Sequence, residues 1–195
     1  MKQHLKFFQG FIKNPLKVGA ISPSSTDLAL KMIEDVDANR DNVVVEIGCG
    51  TGAITKHLQD IIPDRESFIG IEIDKDFVKN LERDYPKLKF VCGDACKTTE
   101  IIKESSLRKI SYIISGLPFV VLPKEVSKGI LSEVDKLMQN GCLFRTFQYA
   151  HGYYLPPAVK FREELDKKYG KCERSDLIMK NLPPVYTLTW STNTK

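Results

Sequence analysis

Val43-Val-Val-Glu46-Ile-Gly48-Cys-Gly50-Thr-Gly52 is the stretch on which the fold turns. The β-branched run from Val43 to Gly48 passes into a loop with glycine at alternate positions, and Ile54, Leu58 and Ile61 then recur at helical spacing through Ala53–Ile62. Strand, tight loop and helix therefore follow one another. Downstream the same alternation predicts strand Phe68–Ile73, helix Lys75–Tyr85, strand Leu88–Cys92 and a weaker helix over Thr98–Leu107. Strand Ile110–Ser115, helix Lys124–Met138 and strand Cys142–Gln148 come next. Five such strands imply a parallel sheet with helices on both faces. After a helix over Ala158–Lys168, the runs Cys172–Ile178 and Val185–Trp190, divided by Asn181-Leu-Pro-Pro184, predict a closing antiparallel hairpin.

The composition is that of an ordinary globular domain: 195 residues, 42% apolar and 28% charged, with no repeat or biased tract. Five cysteines, odd in number and without C-x-x-C spacing, argue against a disulfide framework and a metal site, and fit a reducing cytoplasm. The longest uncharged apolar stretch, Tyr112–Pro123, is too short to span a bilayer, and the N-terminus lacks the layout of a secretion signal. The first 26 residues hold Lys2, Lys6, Lys13 and Lys17 and no acid, which leaves 25 of the 29 bases against 25 acids. The net charge of +4 is therefore concentrated at one end and points to an anionic partner surface there.

Glycines are needed where the first strand turns into its helix because a ligand must approach the backbone closely. Gly48, Gly50 and Ala53 also satisfy the dinucleotide pattern G-x-G-x-x-G/A, so the loop alone does not identify its ligand. Five parallel strands closed by a terminal hairpin resemble the seven-stranded class I methyltransferase fold over about residues 20–192, and NAD-dependent Rossmann domains usually lack that hairpin. The resemblance implies S-adenosylmethionine as cofactor, with S-adenosylhomocysteine as its product. Three acids then acquire roles. Glu46, two residues before the first glycine, is placed to meet the positively charged amino-acid portion, and Glu72, at the end of the second strand, to accept the ribose hydroxyls. Asp94 in Gly93-Asp94-Ala95, at the end of the third strand, is implied to accept the adenine amino group. The bland alternative, that such acids cap helices, suits Asp74 and also Asp94.

After the fourth strand, Ser115-Gly116-Leu117-Pro118-Phe119 resembles the N-[LI]-P-[YF] motif of rRNA adenine dimethyltransferases, with Gly116 where that motif has asparagine. Bacterial soluble phospholipid N-methyltransferases are a closer resemblance. Their pattern F-x-x-x-P-x-x-V-G-A-x-x-P-S-S is matched from Phe11 through Pro15, Val18-Gly19-Ala20 and Pro23 to Ser24-Ser25, alongside the S-G-L-P-F run and Gln148-Tyr149. The resemblance implies methyl transfer to phosphatidylethanolamine or its methylated derivatives by a cytoplasmic enzyme at the inner membrane face. Its partners would be an anionic membrane surface and a phospholipid, with no stable nucleic acid. Nucleic-acid adenine methylation, methylation of a small soluble amine, and cofactor binding without catalysis are the competing readings. Gly116, Leu117, Pro118 and Phe119 become substrate-binding candidates, and Ser115 joins Gly48, Gly50, Gly52 and Ala95 in the cofactor set.

Two features bear on the acceptor. On a helix, Leu5, Phe8, Phe11 and Ile12 gather opposite Lys2, Lys6 and Lys13, which suits either an interfacial helix or a lid, so that residues 1–26 form an N-terminal unit and 27–195 the methyltransferase domain. Ser24 and Ser25 precede the helical run Asp27–Met32, where a hydroxyl would cap the helix; the resemblance places them over the methionine end of the cofactor instead. Methyl transfer to an ammonium substrate requires removal of a proton, and Tyr149 and His151, following the fifth strand, are the leading candidates. Phe119 would contribute an aromatic face to the methylated ammonium, and Arg145 a bidentate donor to phosphate. Tyr153 is a substrate-binding candidate that, with Tyr154, could equally pack on Pro156 and Pro157.

Overall fold

Strand β1 (Val43–Ile47) is buried at every position, as a β-branched run must be when helices cover both faces of the sheet. It pairs in parallel with β2 (Phe68–Glu72) on one side and β4 (Ile110–Ser115) on the other. The computed structural model describes residues 24–39, 41–105 and 109–192. Outward from that centre lie β3 (Phe90–Cys92) beyond β2, and β5 (Leu143–Tyr149) beyond β4. β7 (Val185–Ser191) runs antiparallel to β5 and carries β6 (Glu173–Arg174) on its outer edge. The sheet has seven strands in the order β3-β2-β1-β4-β5-β7-β6, a mostly parallel sheet with an antiparallel hairpin, as predicted.

Helices α1 (Thr26–Ile33), α2 (Thr55–Leu58) and α3 (Lys75–Asp84) bring Leu28, Met32, Leu58 and Leu81 to one face, where they pack with Val44, Phe68 and Phe147. Helices α4 (Thr98–Glu104), α5 (Lys124–Met138) and α6 (Pro156–Tyr169) cover the other, over Val45, Ile71, Phe144 and Trp190. Because side chains alternate along a strand, Phe144 and Phe147, an odd number of residues apart on β5, serve opposite cores: Phe144 stacks on Trp190, and Phe147 meets Tyr149 edge to face.

Two elements are markedly shorter than in the sequence reading. The helix predicted over Ala53–Ile62 is regular only for Thr55–Leu58, because the preceding residues belong to the glycine loop. The predicted strand Cys172–Ile178 shrinks to Glu173–Arg174, since the Thr187 N–H donates to the Ser175 hydroxyl and ends the regular ladder; a lone bridge joins Ile178 to Val185. The N-terminal helix and cofactor-covering segment expected before Ser24, and the end of the helix expected to reach Leu107, lie outside the described residues. Among those residues, no helix is long and apolar enough to cross a membrane.

Candidate functional site

All five parallel strands end on one edge of the sheet, and the loops that leave β1, β2, β3 and β4 there enclose a cleft. Gly48, Glu72, Asp94, Ala95 and Leu117 line it, with Leu122, Val126 and Ile130 forming an apolar wall from the β4–α5 connection and α5. An acidic rim over an apolar slot suits a nucleoside: hydroxyl and amino groups can meet carboxylates while the flat base is enclosed by aliphatic side chains.

The glycine loop is shaped for that approach. Gly48, Gly50 and Gly52 have φ of 77°, 53° and 83°, values that L-residues with side chains seldom adopt. A Cβ on Gly48 would fall 2.3 Å from Leu117 Cδ2, and one on Gly52 would fall 2.8 Å from Tyr85 Cε2, so both positions are closed to a larger residue by space as well as by dihedral.

Glu46 lies beneath this loop, 1% exposed, with its Oε2 accepting the Thr55 hydroxyl at 2.7 Å. Its Oε1 is buried without a hydrogen-bond partner. Burial of the charge pushes the carboxyl up to about 7 despite the Thr55 hydrogen bond, and the negative Glu72 adds to the rise. A buried carboxylate oxygen lacking a donor fits a cationic group arriving at the loop, such as the ammonium of the expected cofactor. Glu72 is also buried; its Oε2 accepts the Gly50 N–H at 2.8 Å and its Oε1 the Asp74 N–H at 2.9 Å. These bonds hold it on the cleft wall in a fixed rotamer, and burial raises its pKa too. Asp94 lines the cleft while its Oδ1 accepts the Cys96 N–H at 2.9 Å, so it caps a short helical turn as well as facing the site. Asp74 is a helix cap, its Oδ1 accepting from Asp76 and Phe77 at the start of α3.

At the end of β4, the buried Ser115 hydroxyl accepts the Leu117 N–H and reaches the Ile47 carbonyl at 3.4 Å, which ties this loop to β1. A Cβ at Gly116 would sit 3.0 Å from the Gly48 carbonyl oxygen, so glycine lets the two loops touch. Further along the same edge lies a second group. Tyr149 is half-buried and stacks on the exposed His151 with ring centroids 5.6 Å apart. Ser25 caps α1 through the Leu28 N–H, and its own N–H donates to Asn181 Oδ1 at 3.0 Å, placing Ser24 and Ser25 beside the loop before β7. None of these four residues lines the cleft itself.

Three candidates are corrected by their surroundings. Arg145, read as a phosphate ligand, is buried and committed elsewhere: its Nε donates to Thr189 Oγ1 at 2.8 Å, and its Nη1 reaches the carbonyls of Lys31, Met32 and Glu34 at the C-terminal end of α1. It closes a helix terminus from the core side. Tyr153, read as substrate-binding, is enclosed between Arg162, 3.7 Å above its ring, and Tyr186. Phe119, read as part of an aromatic cage, stacks on Phe161 and meets Phe144 edge-on, so its ring belongs to the core. Sequence reading also passed over Thr55, which anchors Glu46, and the Val126 and Ile130 wall, whose i, i+4 spacing is indistinguishable from an ordinary core stripe.

With this geometry established, likeness to known proteins gives it a context. Residues 44–141 match the family described as "Methyltransferase domain". An ornithine lipid N-methyltransferase from Singulisphaera acidiphila is 30% identical over 141 residues, covering 71% of this chain and 73% of that protein. The ribosomal RNA small subunit methyltransferase A of Mycoplasma capricolum is 30% identical over 111 residues, covering 55% of this chain but only 40% of its own length. A solved magnesium protoporphyrin IX methyltransferase from Synechocystis PCC 6803, with S-adenosylmethionine bound, superposes with a TM-score of 0.61 at 14% identity, covering 93% of this chain and 83% of that one. At that identity the likeness concerns the fold.

Proposed function

The chain belongs to the methyltransferase-domain family with S-adenosylmethionine as its cofactor, and on that premise we propose that it methylates the amine of a membrane-lipid headgroup, phosphatidylethanolamine or an ornithine-type lipid. The observation that carries this reading is the extent of the likeness to the ornithine lipid N-methyltransferase, which spans 73% of that protein, against 40% of the rRNA relative. The β4 loop supports it. With glycine at 116, pressed against the Gly48 carbonyl, the loop offers no side-chain amide to hold the planar exocyclic nitrogen of a base.

The chain's own residues supply binding and proton handling. Glu46, Glu72 and Asp94 would hold the ammonium, ribose and adenine amino group of the cofactor, and Leu117, Val126 and Ile130 the flat base. When bound, that group supplies an activated methyl on a sulfonium. The lipid ammonium must shed a proton before its nitrogen can attack, and the remainder of the rate enhancement is positioning. Of the two candidate bases, burial pushes the Tyr149 phenol up, which leaves it protonated and suited to orienting rather than to accepting a proton. His151, exposed at the same edge and stacked on Tyr149, is the better-placed acceptor, since its ring nitrogens are open to an incoming ammonium.

Incubation with methyl-labelled S-adenosylmethionine and vesicles bearing phosphatidylethanolamine, an ornithine lipid, or phosphatidylethanolamine blocked by N-acetylation tests the reading. Label in one of the free-amine lipids and none in the blocked lipid is expected. Equal labelling of the blocked lipid, or of none while S-adenosylhomocysteine binds, overturns it.

A further inference from the structure

We propose that the loops preceding β7 and following β4 and β5 form a bilayer-docking surface that seats the mouth of the site on the lipid headgroup layer. This rests on the lipid reading above and assigns the contact to the folded domain itself. The exposed large apolar side chains are unevenly spread. Val121 follows β4, Leu155 follows β5, and Met179 and Leu182 precede the antiparallel β7, so all four stand on the carboxyl edge where the cleft opens. Met179 and Leu182 are 64% and 65% exposed and Leu155 is 55% exposed, on loops that have shorter polar neighbours available to face water. The loops are joined: the Ala150 N–H donates to the Pro184 carbonyl at 2.8 Å, and Tyr149 pairs with Val185. They therefore present their apolar tips from one supported ledge.

Two facts fit a lipid surface better than a protein partner. A lipid amine stays at the headgroup layer, so the opening of the site must come to that plane, and the apolar tips stand on the sheet edge where it opens. The charge also agrees. Lys124 and Lys128 begin α5 directly after the connection that carries Val121, and Lys180, with its side chain 79% exposed, stands between Met179 and Leu182. Basic groups around apolar tips are the combination that anionic bilayers retain.

The test uses the full chain and vesicles of phosphatidylglycerol and phosphatidylcholine, which contain no primary amine, so binding is read apart from methylation. Co-sedimentation of the wild type is expected, and the pair Met179→Asp with Leu182→Asp is expected to weaken it about tenfold or more. Ile61→Asp, an exposed apolar residue between α2 and β2 and so away from this edge, is expected to bind as the wild type does. All variants should retain the wild-type melting temperature and S-adenosylhomocysteine affinity, and should methylate a soluble short-chain phosphatidylethanolamine at the wild-type rate. Wild type that fails to sediment, or Asp variants that sediment undiminished, overturns the proposal. Loss of sedimentation in the Asp pair with no lipid methylated by any form sustains the docking surface and rejects the lipid substrate.

Discussion

Glu46 keeps its proton to about pH 7 because burial penalises its charge, and a cofactor ammonium held against it would make binding sensitive to pH. A cationic ammonium prefers the ionised carboxylate, so affinity for S-adenosylhomocysteine should rise between pH 6 and 7.5. In Glu46→Gln, calorimetric titration should show affinity reduced about tenfold or more and almost flat over that range. The same group acts on stability with the opposite sign. The folded protein binds this proton more tightly than the unfolded chain, whose carboxyl has the ordinary value of 4.5, so the folded state loses stability as pH climbs from about 4.5 to 7 and levels off above. The loss is on the order of 3 kcal/mol, and denaturant midpoints of the unliganded protein should show it, with Glu46→Gln largely removing it. The positions of Glu46 under the glycine loop and of Glu72 and Asp94 on the cleft wall were legible because place relative to a glycine loop and a strand end is written in the sequence. Those of Arg145, Tyr153 and Phe119 were not, since residue type does not reveal which way a side chain leaves its strand or loop, or what it meets there.

Among elements, β5 illustrates the cost of a buried cation placed for structure. Arg145 satisfies carbonyls at the end of α1 that would otherwise be buried without donors. Replacing it with methionine should destabilise the fold by about 2–4 kcal/mol, measured by chemical denaturation, while the KM for lipid stays within twofold of wild type where the variant is folded. A phosphate-binding role predicts the reverse, a raised KM with little loss of stability. The β4 loop gives a second prediction. Gly116→Asn restores the asparagine of the related RNA motif but brings a Cβ to 3.0 Å from the Gly48 carbonyl, so it should lower methyl transfer about tenfold by moving the glycine loop, without conferring activity on RNA. The buried parallel strands were legible because their hydrophobic runs are continuous. The lengths of α2 and β6 were not, because they depend on a loop wrapping a ligand site and on one serine hydroxyl replacing a ladder contact.

Over the whole molecule, the sheet brings its candidate chemistry to one edge: the cleft at β1 to β4, the stacked Tyr149 and His151 proposed to handle the proton at the end of β5, and the apolar ledge before β7. The parallel sheet and its closing hairpin followed from alternation along the chain, and the observed strand order places the cleft where the direction of winding reverses, between β1 and β4. The apolar ledge was hidden in the sequence because Leu155, Met179 and Leu182 are isolated in loops, where hydrophobic residues carry no periodic signal, and only the folded edge assembles them. The central claim is that this edge delivers a methyl group to a lipid amine. It is tested most directly by giving the purified chain methyl-labelled S-adenosylmethionine together with phosphatidylethanolamine and ornithine-lipid vesicles and small-subunit ribosomal RNA, then separating lipid from nucleic acid by solvent extraction. Label recovered in the lipid phase is the predicted result; label recovered on the RNA, with the lipids unmodified, would contradict the account.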